Sequence, residues 1–309
     1  MKRYFIITID TEGDNLWAVS NLKAQIQTEN AKFLYRFQEL CEKFGFIPTY
    51  LTNYEMAMSD AMKELGHQGL RKGTLEIGAH EHAWNSPPYY PLIKSPVKRG
   101  KPYLGEYPKA VIRKKLEYLT RLLEDTFQCP ITSHRGGRWC LNSVIVKELE
   151  RLGYMVDCTC TPGRSWKNYP GWSIGSKGTD WSNYENRPFM LEYSQSGSVT
   201  KSDIIEIPVT SIKKARNGTP RWFRPNGSNL MELLAIIDYM CERNEPYIEF
   251  MLHSSELMPG GSPTFMRKGQ IEKLYCDLDM LFSVLRQHEF CGVSLSEFAK
   301  KCNKEKCHE

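Results

Sequence analysis

Short apolar runs rich in β-branched residues alternate along this chain with longer segments of helical period. The run Tyr4–Asp10, for example, precedes a segment that follows Thr28, a candidate N-cap, and stops at Gly45. One helical stripe of that segment is formed by Phe33, Phe37, Leu40 and Phe44. Repeated alternation of this kind is typical of βα units, so the sequence predicts an α/β fold with a parallel sheet.

The same patterns predict the positions of the other strands and helices. The predicted strands are Tyr4–Asp10, Ile47–Leu51, Leu75–His80, Ile131–His134, Met155–Cys158, Ile204–Val209, Ile248–His253 and Gly292–Leu295. Further helices are predicted at Lys109–Phe127, Asn142–Leu152, Ser228–Arg243 and Lys268–His288. Strands and helices of this number over 309 residues fit one irregular or incompletely closed (β/α) barrel, and a doubly wound open sheet is the alternative.

Two stretches interrupt the rhythm, Asn85–Pro108 and Thr161–Ser202, and both contain Pro, Gly, Ser and Asn. Long loops in a compact domain usually carry function, and neither stretch resembles a linker between domains. We therefore interpret the whole chain, 1–309, as a single catalytic domain.

Charge and cysteine content exclude several classes of protein. The chain has 41 Lys and Arg against 36 Asp and Glu, a net charge of +5, and its basic residues are scattered, so no nucleic-acid partner is expected. No apolar run approaches the length of about 18 residues that crosses a bilayer, so no integral membrane segment is expected. Ten cysteines without a recognisable secretory signal favour a cytoplasmic location with reduced thiols. The oligomeric state stays open.

Acidic residues follow the first predicted strand. Asp10 and Glu12 stand two positions apart where the apolar run ends, so on an extended strand their side chains project to the same side. In an α/β barrel, catalytic groups collect at the carboxyl ends of the strands. Solvated residues at a strand exit would show the same pattern.

A pair of histidines follows the third predicted strand. His80 and His82 also stand two positions apart and can direct both imidazoles at one point. Two imidazoles with one carboxylate and open positions for water form the ligand set of a hydrolytic zinc site, although other divalent ions bind it too. The sequence therefore predicts a metal site.

Two more strand ends carry polar clusters. Arg135 precedes Gly136 and Gly137, which suits a guanidinium that steers a carboxylate beside closely approached backbone. His253 lies where another apolar strand enters a Gly- and Pro-containing loop, a suitable place for a general acid. Clusters at four separate strand ends predict one catalytic site.

In order and spacing, these segments resemble the polysaccharide deacetylases, the NodB-homology or carbohydrate esterase family 4 superfamily, and are most similar to its WalW-like branch. The resemblance spans Ile6 to Leu295 and implies the family's distorted (β/α) barrel of about seven or eight strands. It rests on Ile9–Glu12, Ile77–Pro88, Arg135–Trp139, Gly153–Asp157 with Thr161–Gly163, and Leu252–Ser262.

The first family motif corresponds to residues at the end of the first predicted strand of this chain. The resemblance makes Asp10 the catalytic base and assigns the metal carboxylate to Glu12, because Thr11 stands where the family more usually has a second aspartate. Whether Asp10 or Glu12 binds the metal is left open by the sequence. The second motif normally places its histidines four apart, whereas this chain has His80 and His82 as ligands and Trp84 at the usual second position.

The remaining motifs complete the implied site. Arg135 matches the arginine that orients the base, His253 the histidine acid and Asp157 the fourth-motif aspartate, and an oxyanion donor is expected from the Gly136–Gly137 turn. Aromatic faces suit sugar rings. The residues expected to bind substrate are Trp84, Asn85, Arg138, Trp139, Asp157 and Trp166.

The resemblance implies a metal-dependent hydrolase that removes an N-acetyl or related acyl group from a sugar in surface-polysaccharide or lipopolysaccharide biosynthesis. Zinc is the expected ion, with cobalt, nickel or manganese as other candidates. Two alternatives remain: a metal-dependent hydrolase of another C–N or ester substrate, and a non-catalytic carbohydrate-binding barrel.

Overall fold

The computed structural model describes residues 2–14, 16, 26–84, 86–90, 100–195, 198–213 and 218–306. Its strands are β1 (Arg3–Thr11), β2 (Pro48–Thr52), β3 (Glu76–Glu81), β4 (Ser133–Gly136), β5 (Val156–Asp157), β6 (Phe189–Gln195), β7 (Ser198–Glu206), β8 (Ser211–Ile212), β9 (Arg221–Trp222), β10 (Tyr247–His253) and β11 (Phe290–Gly292). Its α-helices are α1 (Leu34–Phe44), α2 (Tyr54–Ala57), α3 (Asp60–Lys72), α4 (Lys109–Phe127), α5 (Ser143–Arg151), α6 (Leu230–Glu242), α7 (Lys268–Gln287) and α8 (Leu295–Lys306).

The main sheet winds in one direction, in the order β10-β1-β2-β3-β4-β5-β7-β6, with β11 also paired to β1. The pairings from β10 to β7 are parallel, and β6 runs antiparallel to β7 at the far edge. A curled sheet of this order is the predicted distorted (β/α) barrel, and the doubly wound alternative is wrong because the strand order does not reverse at a switch point.

The barrel closes through irregular chain beside β10. Backbone N–H groups of β10 donate to the segment after β7: Glu249 N–H bonds Thr210 Oγ1 at 2.9 Å, and Met251 N–H bonds the Phe223 carbonyl at 3.4 Å. Tyr247 adds a hydroxyl bond to the Pro208 carbonyl at 3.0 Å. The β8–β9 hairpin grows out of this closing segment, next to the carboxyl end of β10.

Alternate residues of β1 face opposite layers, as the strand's pleat requires. Phe5 and Ile7 pack among the helices, where the Phe5 ring lies 5.6 Å from that of Phe282 on α7. Ile6 faces the inside of the curl and belongs to a second apolar cluster to which Phe298 of α8 contributes. Asp10 lies on this inner face, so the interior changes from apolar to acidic toward the carboxyl end.

Three sequence expectations need correction, and one helix was missed. Thr28 makes no side-chain capping hydrogen bond and precedes a short 3-10 helix, Glu29–Phe33, that leads into α1. The predicted strand Gly292–Leu295 ends at Gly292, and Leu295 begins α8. The stretch Thr161–Ser202 is not all loop, because β6 lies within it as an edge strand. Helix α3 was not predicted, since Gly66 and Gly69 replace apolar residues on the face that packs against Phe127 and Leu75.

Among the described residues, no helix combines the length and the apolar character that a membrane span requires.

Candidate active site

Donor atoms of β1 and β3 converge at the carboxyl edge of the barrel. Glu12 Oε1 lies 2.9 Å from His80 Nε2 and 2.6 Å from His82 Nε2, and the two Nε2 atoms are 2.9 Å apart. All three side chains are buried. They form one of the groups whose ligand atoms lie within 4.8 Å of one another, as an ion requires.

The hydrogen bonds of His80 test whether this group suits a metal. Its Nδ1 lies 2.9 Å from the Arg135 carbonyl, which can only accept, so Nδ1 carries the proton. When Nε2 is deprotonated, its lone pair faces the Glu12 carboxylate at 2.9 Å, and a cation between the two acceptors would stabilise the contact. A backbone carbonyl on the far nitrogen is also the usual support of a metal-ligating histidine. The three residues therefore fit a divalent metal ion.

The turn after β4 fixes the position of His82. A Cβ atom on Gly137 would lie 2.3 Å from the Glu81 carbonyl oxygen and 3.0 Å from His82 Nδ1, so only glycine fits there. The rings of His80 and His82 meet edge to face, with centroids 4.5 Å apart and planes at 84°.

Asp10 is the second acid of the site and is held by a buried guanidinium. Arg135 donates from one terminal nitrogen to Asp10 Oδ1 at 2.6 Å and from the other to Glu249 Oε1 at 2.6 Å. It also donates to Thr8 Oγ1 at 2.8 Å and to the Cys158 carbonyl at 2.9 Å. Arg135 is fully buried, so these bonds fix its geometry and, through it, the orientation of Asp10.

The charges around these acids lower the pKa of both. Burial alone would raise the pKa of Asp10, but the positive charge of Arg135, followed by His80 and His253, lowers it below the ordinary value. Burial acts in the same direction on Glu12, and the two metal-site histidines outweigh it, so the Glu12 pKa lies well below its ordinary value.

His253 faces the same acid from β10. Its Nε2 lies 3.6 Å from Asp10 Oδ2, and its Nδ1 lies 3.4 Å from Glu256 Oε2. Burial lowers the pKa of His253, but the hydrogen bond that Glu256 accepts from its ring has the opposite effect, and that pKa lies above its ordinary value. Arg224 in turn binds the Glu256 carboxylate at 2.7 Å and 2.8 Å.

Sequence reasoning did not predict Thr8, Arg224, Glu249 or Glu256 as parts of this site. Strand alternation could have indicated Glu249, which shares the inner face of β10 with His253. Glu256 stands three positions after His253 and accepts the His253 backbone N–H at 2.9 Å, a spacing typical of a helix cap. No sequence pattern indicated Arg224 as a site residue, because it lies in a distant irregular segment.

The predicted substrate residues occupy different surroundings. The Trp84 ring stacks edge to face on His82, with centroids 4.4 Å apart, so it borders the metal site. The Arg138 guanidinium lies 5.0 Å from the Tyr103 ring, and its backbone adopts a positive φ of 56°. Asn85 lies outside the described residues.

Three tryptophans form an aromatic cluster beside Arg135. Trp139 stacks on Trp166 with centroids 6.1 Å apart and meets Trp222 edge to face at 5.3 Å. The Arg135 guanidinium lies 5.4 Å from the Trp139 ring. Trp222 joins this cluster from β9, although only Trp139 and Trp166 were predicted as substrate residues.

Asp157 does not reach this mouth. The side chain is fully buried, lies 2.5 Å from His134 Nδ1 and hydrogen-bonds to Glu206, so a substrate has no access to it in this structure. At the turn where an oxyanion donor was expected, the Gly136 N–H is already engaged, because it donates to Thr159 Oγ1 at 2.8 Å.

No protein-family model matches the sequence, and neither does any curated protein. Solved structures share the fold. A protein from Mycobacterium smegmatis assigned as a polysaccharide deacetylase is 14% identical, with a TM-score of 0.58 over 97% of this chain and 91% of its own. One from Pseudomonas aeruginosa PAO1 with the same assignment is 13% identical, with a TM-score of 0.54 over 98% and 91%. An allantoinase is 11% identical, with a TM-score of 0.53 over 97% and 89%. At these identities the likeness shows the fold alone.

Proposed function

We propose that this protein is a metal-dependent hydrolase that removes an N-acetyl or related acyl group from a sugar, with the whole chain acting as one catalytic domain. One observation carries the proposal: the donor atoms of Glu12, His80 and His82 converge beside Asp10, which Arg135 holds at 2.6 Å. This arrangement supports Glu12 as the carboxylate ligand of the metal and Asp10 as the catalytic base.

Each residue then has a chemical task. A divalent ion held by Glu12, His80 and His82, zinc first and cobalt, nickel or manganese as alternatives, supplies Lewis acidity and a more acidic water. Asp10, ionised and oriented by Arg135, accepts the proton of the attacking water. His253 lies 3.6 Å from the same carboxylate and donates a proton to the departing amine.

The aromatic surroundings suit a sugar. Trp84 borders the metal site, and Trp139 and Trp166 offer stacked faces next to Arg135. Within the proposal, these side chains hold the ring while its acetamido group points at Asp10. The resemblance to the WalW-like branch supports a role in lipopolysaccharide or surface-polysaccharide biosynthesis.

Metal removal and an Asp10 variant test the proposal together. We expect deacetylation of N-acetylated sugars to stop on complete chelation and to return when zinc is added back. Asp10→Asn should bind zinc stoichiometrically yet lose about 10³-fold or more in kcat, because the base alone is removed. Activity that survives verified removal of the metal would refute the mechanism.

Substrate screening separates the alternatives, since a fold does not fix a substrate. The panel should contain acetylated sugars, simple esters and cyclic amides, the last because an allantoinase shares the fold. Turnover only of cyclic amides or esters would favour a different hydrolase. Binding of sugars without turnover and without stoichiometric metal would favour a non-catalytic barrel.

A further inference from the structure

An exposed apolar patch lies in the loop between β5 and β6. Tyr169 and Trp172 are 53% and 48% exposed, and Ile174, at 107%, is fully exposed. Single apolar residues are normal on a protein surface, but three large ones within so short a stretch indicate an interaction site. We call residues 169–178 the apolar tip.

Hydrogen bonds fix the backbone of the apolar tip. The Gly171 N–H donates to the Ser176 carbonyl at 3.0 Å across a short hairpin. The Glu106 carboxylate, which belongs to the loop after β3, accepts the Trp172 N–H at 2.8 Å and the Ser173 N–H at 2.7 Å. The backbone is therefore held in place while the apolar side chains stay in solvent.

The apolar tip lies next to the mouth of the candidate active site. The Tyr169 ring is 5.7 Å from that of Trp166, which stacks on Trp139 beside Arg135. The whole loop stays at the carboxyl edge of the barrel, because β5 ends there and the antiparallel strand β6 begins there. A surface that contacts the tip consequently faces the mouth.

Further exposed apolar side chains lie at the same edge, where the strands end and the next helices begin. Met58 follows β2, Met231 lies in the first turn of α6, and Met266 directly precedes α7. The apolar tip is thus the most exposed part of an edge that presents apolar groups in several places.

Positive charge accompanies these apolar groups. Residues 161–179 contain Arg164, Lys167 and Lys177 and no acid. Lys167 pairs with Asp180 at 2.5 Å, but Lys177 is exposed and forms no ion pair among the described residues. Two more exposed cations follow Met266 at the same edge, Arg267 and Lys268. The edge therefore favours a partner with negative charge.

The size of the tip favours a bilayer over a protein partner. Three side chains of this size, half to fully exposed, offer roughly 400 Å² of area, about half of what each partner buries in a standard protein interface. A bilayer surface needs less contact, because aromatic rings lie at headgroup level, an aliphatic side chain reaches the acyl boundary, and lysines attract anionic lipids.

We propose that this protein binds reversibly to the surface of an anionic membrane through the apolar tip, with the mouth of the candidate active site facing the bilayer. Tyr169 and Trp172 lie among the headgroups, Ile174 reaches the acyl boundary, and Lys177 contacts lipid phosphates. This inference goes beyond the proposed function and requires neither a bound metal nor hydrolysis.

Vesicle binding tests the inference. The full-length chain is co-sedimented with vesicles of phosphatidylcholine alone or with about 30% phosphatidylglycerol. Trp172→Ala/Ile174→Ala removes the apolar groups, and Lys177→Gln removes the charge. Matched controls lie away from the tip: Met280→Ala at an exposed position of α7 and Lys114→Gln at an exposed position of α4.

We expect wild type to bind the vesicles that contain phosphatidylglycerol more tightly than the neutral ones. The double variant should lower the partition coefficient by about 10-fold or more, because two side chains lose their apolar contact with lipid. Lys177→Gln should lower it about 3- to 5-fold, and only for the anionic vesicles. Both controls should bind as wild type does.

Absence of wild-type binding to anionic vesicles would overturn the inference, and so would equal binding by wild type and the double variant. If the double variant does not fold, Ile174→Ala alone decides, because this side chain is fully exposed. A wild-type dimer that the double variant dissociates in sedimentation velocity would instead assign the tip to a second copy of the chain. Hydrolysis of soluble sugars is unaffected by any of these outcomes, so the proposed function stands or falls separately.

Discussion

Glu256 raises the pKa of His253. Its carboxylate contacts His253 through the backbone N–H and through Nδ1, and Arg224 locks it in place. Although burial raises the pKa of Glu256, Arg224 and then His253 outweigh it and bring it down to about 2, so the carboxylate stays charged throughout the working pH range. A permanently charged neighbour favours the protonated form of this half-buried imidazole.

A Glu256→Gln variant should therefore change the pH profile. An acid must hold its proton, so activity that depends on His253 is present below its pKa and is lost as pH rises through it. Because Glu256 raises the pKa of His253, its removal should shift the basic limb of kcat/KM to lower pH. The exposed residue Glu39 provides the control, Glu39→Gln, which should leave the limb in place. A basic limb that does not move in Glu256→Gln would show that His253 is not the acid.

The main side chains of the site could be located from sequence because each follows an apolar strand. Asp10, His80 and His253 lie where strand alternation and the carboxyl-edge rule place them, and the structure brings them together. Of the supporting partners, Glu249 follows the alternation of β10, but Arg224 could not be located in this way. Arg224 reaches Glu256 only when the closing segment crosses β10, a long-range packing event with no local pattern.

A buried acid pair joins two neighbouring strands, β5 and β7. Glu206 accepts the Cys160 N–H at 2.6 Å and hydrogen-bonds to Asp157, which itself pairs with His134. Burial, together with the charge of Asp157, raises the pKa of Glu206 well above its ordinary value. Glu206 thus holds a proton in the folded state and links the strands as a neutral acid.

Glu206→Gln should preserve this link, since an amide can both accept from Cys160 and donate to Asp157. The folded pKa of Glu206 is raised, so its stability contribution is complete below the unfolded value near 4.5 and is lost as pH rises toward the folded value. Relative to Glu206→Gln, the wild type should lose up to about 1.4 kcal/mol of unfolding free energy per pH unit in this range. Urea unfolding between pH 5 and 8 measures it.

The control for this comparison is Asp203→Asn, an exposed acid on the same strand, whose stability should follow the wild type at every pH. A constant difference between wild type and Glu206→Gln across the pH range would mean that Glu206 is ionised in the fold.

Elements with continuous apolar runs were predicted well, and those with mixed patterns were not. Both faces of strand β1 are buried, and its sequence contains the continuous apolar run that is typical of such a strand. Edge strand β6 alternates polar residues such as Glu192 and Ser194 with apolar ones inside a Pro- and Ser-rich stretch, so its pattern resembles a loop. In α3 the contact surface is made by glycines, which hydrophobic periodicity cannot detect.

At the scale of the molecule, the candidate metal ligands tie β1 to β3 across β2. An ion bound only by the folded state stabilises it by mass action, by about 2.7 kcal/mol at a free concentration of 100 Kd. We expect zinc to raise the Tm of the metal-free protein and His82→Ala to abolish this increase. His67→Ala, which removes an imidazole from α3, should retain it. Equal zinc-induced shifts in both variants would place the ion elsewhere.

The pairing of β1 with β10 also determines when the candidate active site is fully assembled. Glu12 and Ser254, which hydrogen-bond across these strands, are 242 residues apart in sequence. The entropic cost of closing so long a loop grows only slowly with its length, but such distant contacts slow folding. During synthesis, the ribosome must release β10 before His253 can reach Asp10. A nascent chain that has completed only β1 to β7 therefore carries the candidate metal ligands but lacks His253, and the proposed site is complete only when the closing strand is inserted.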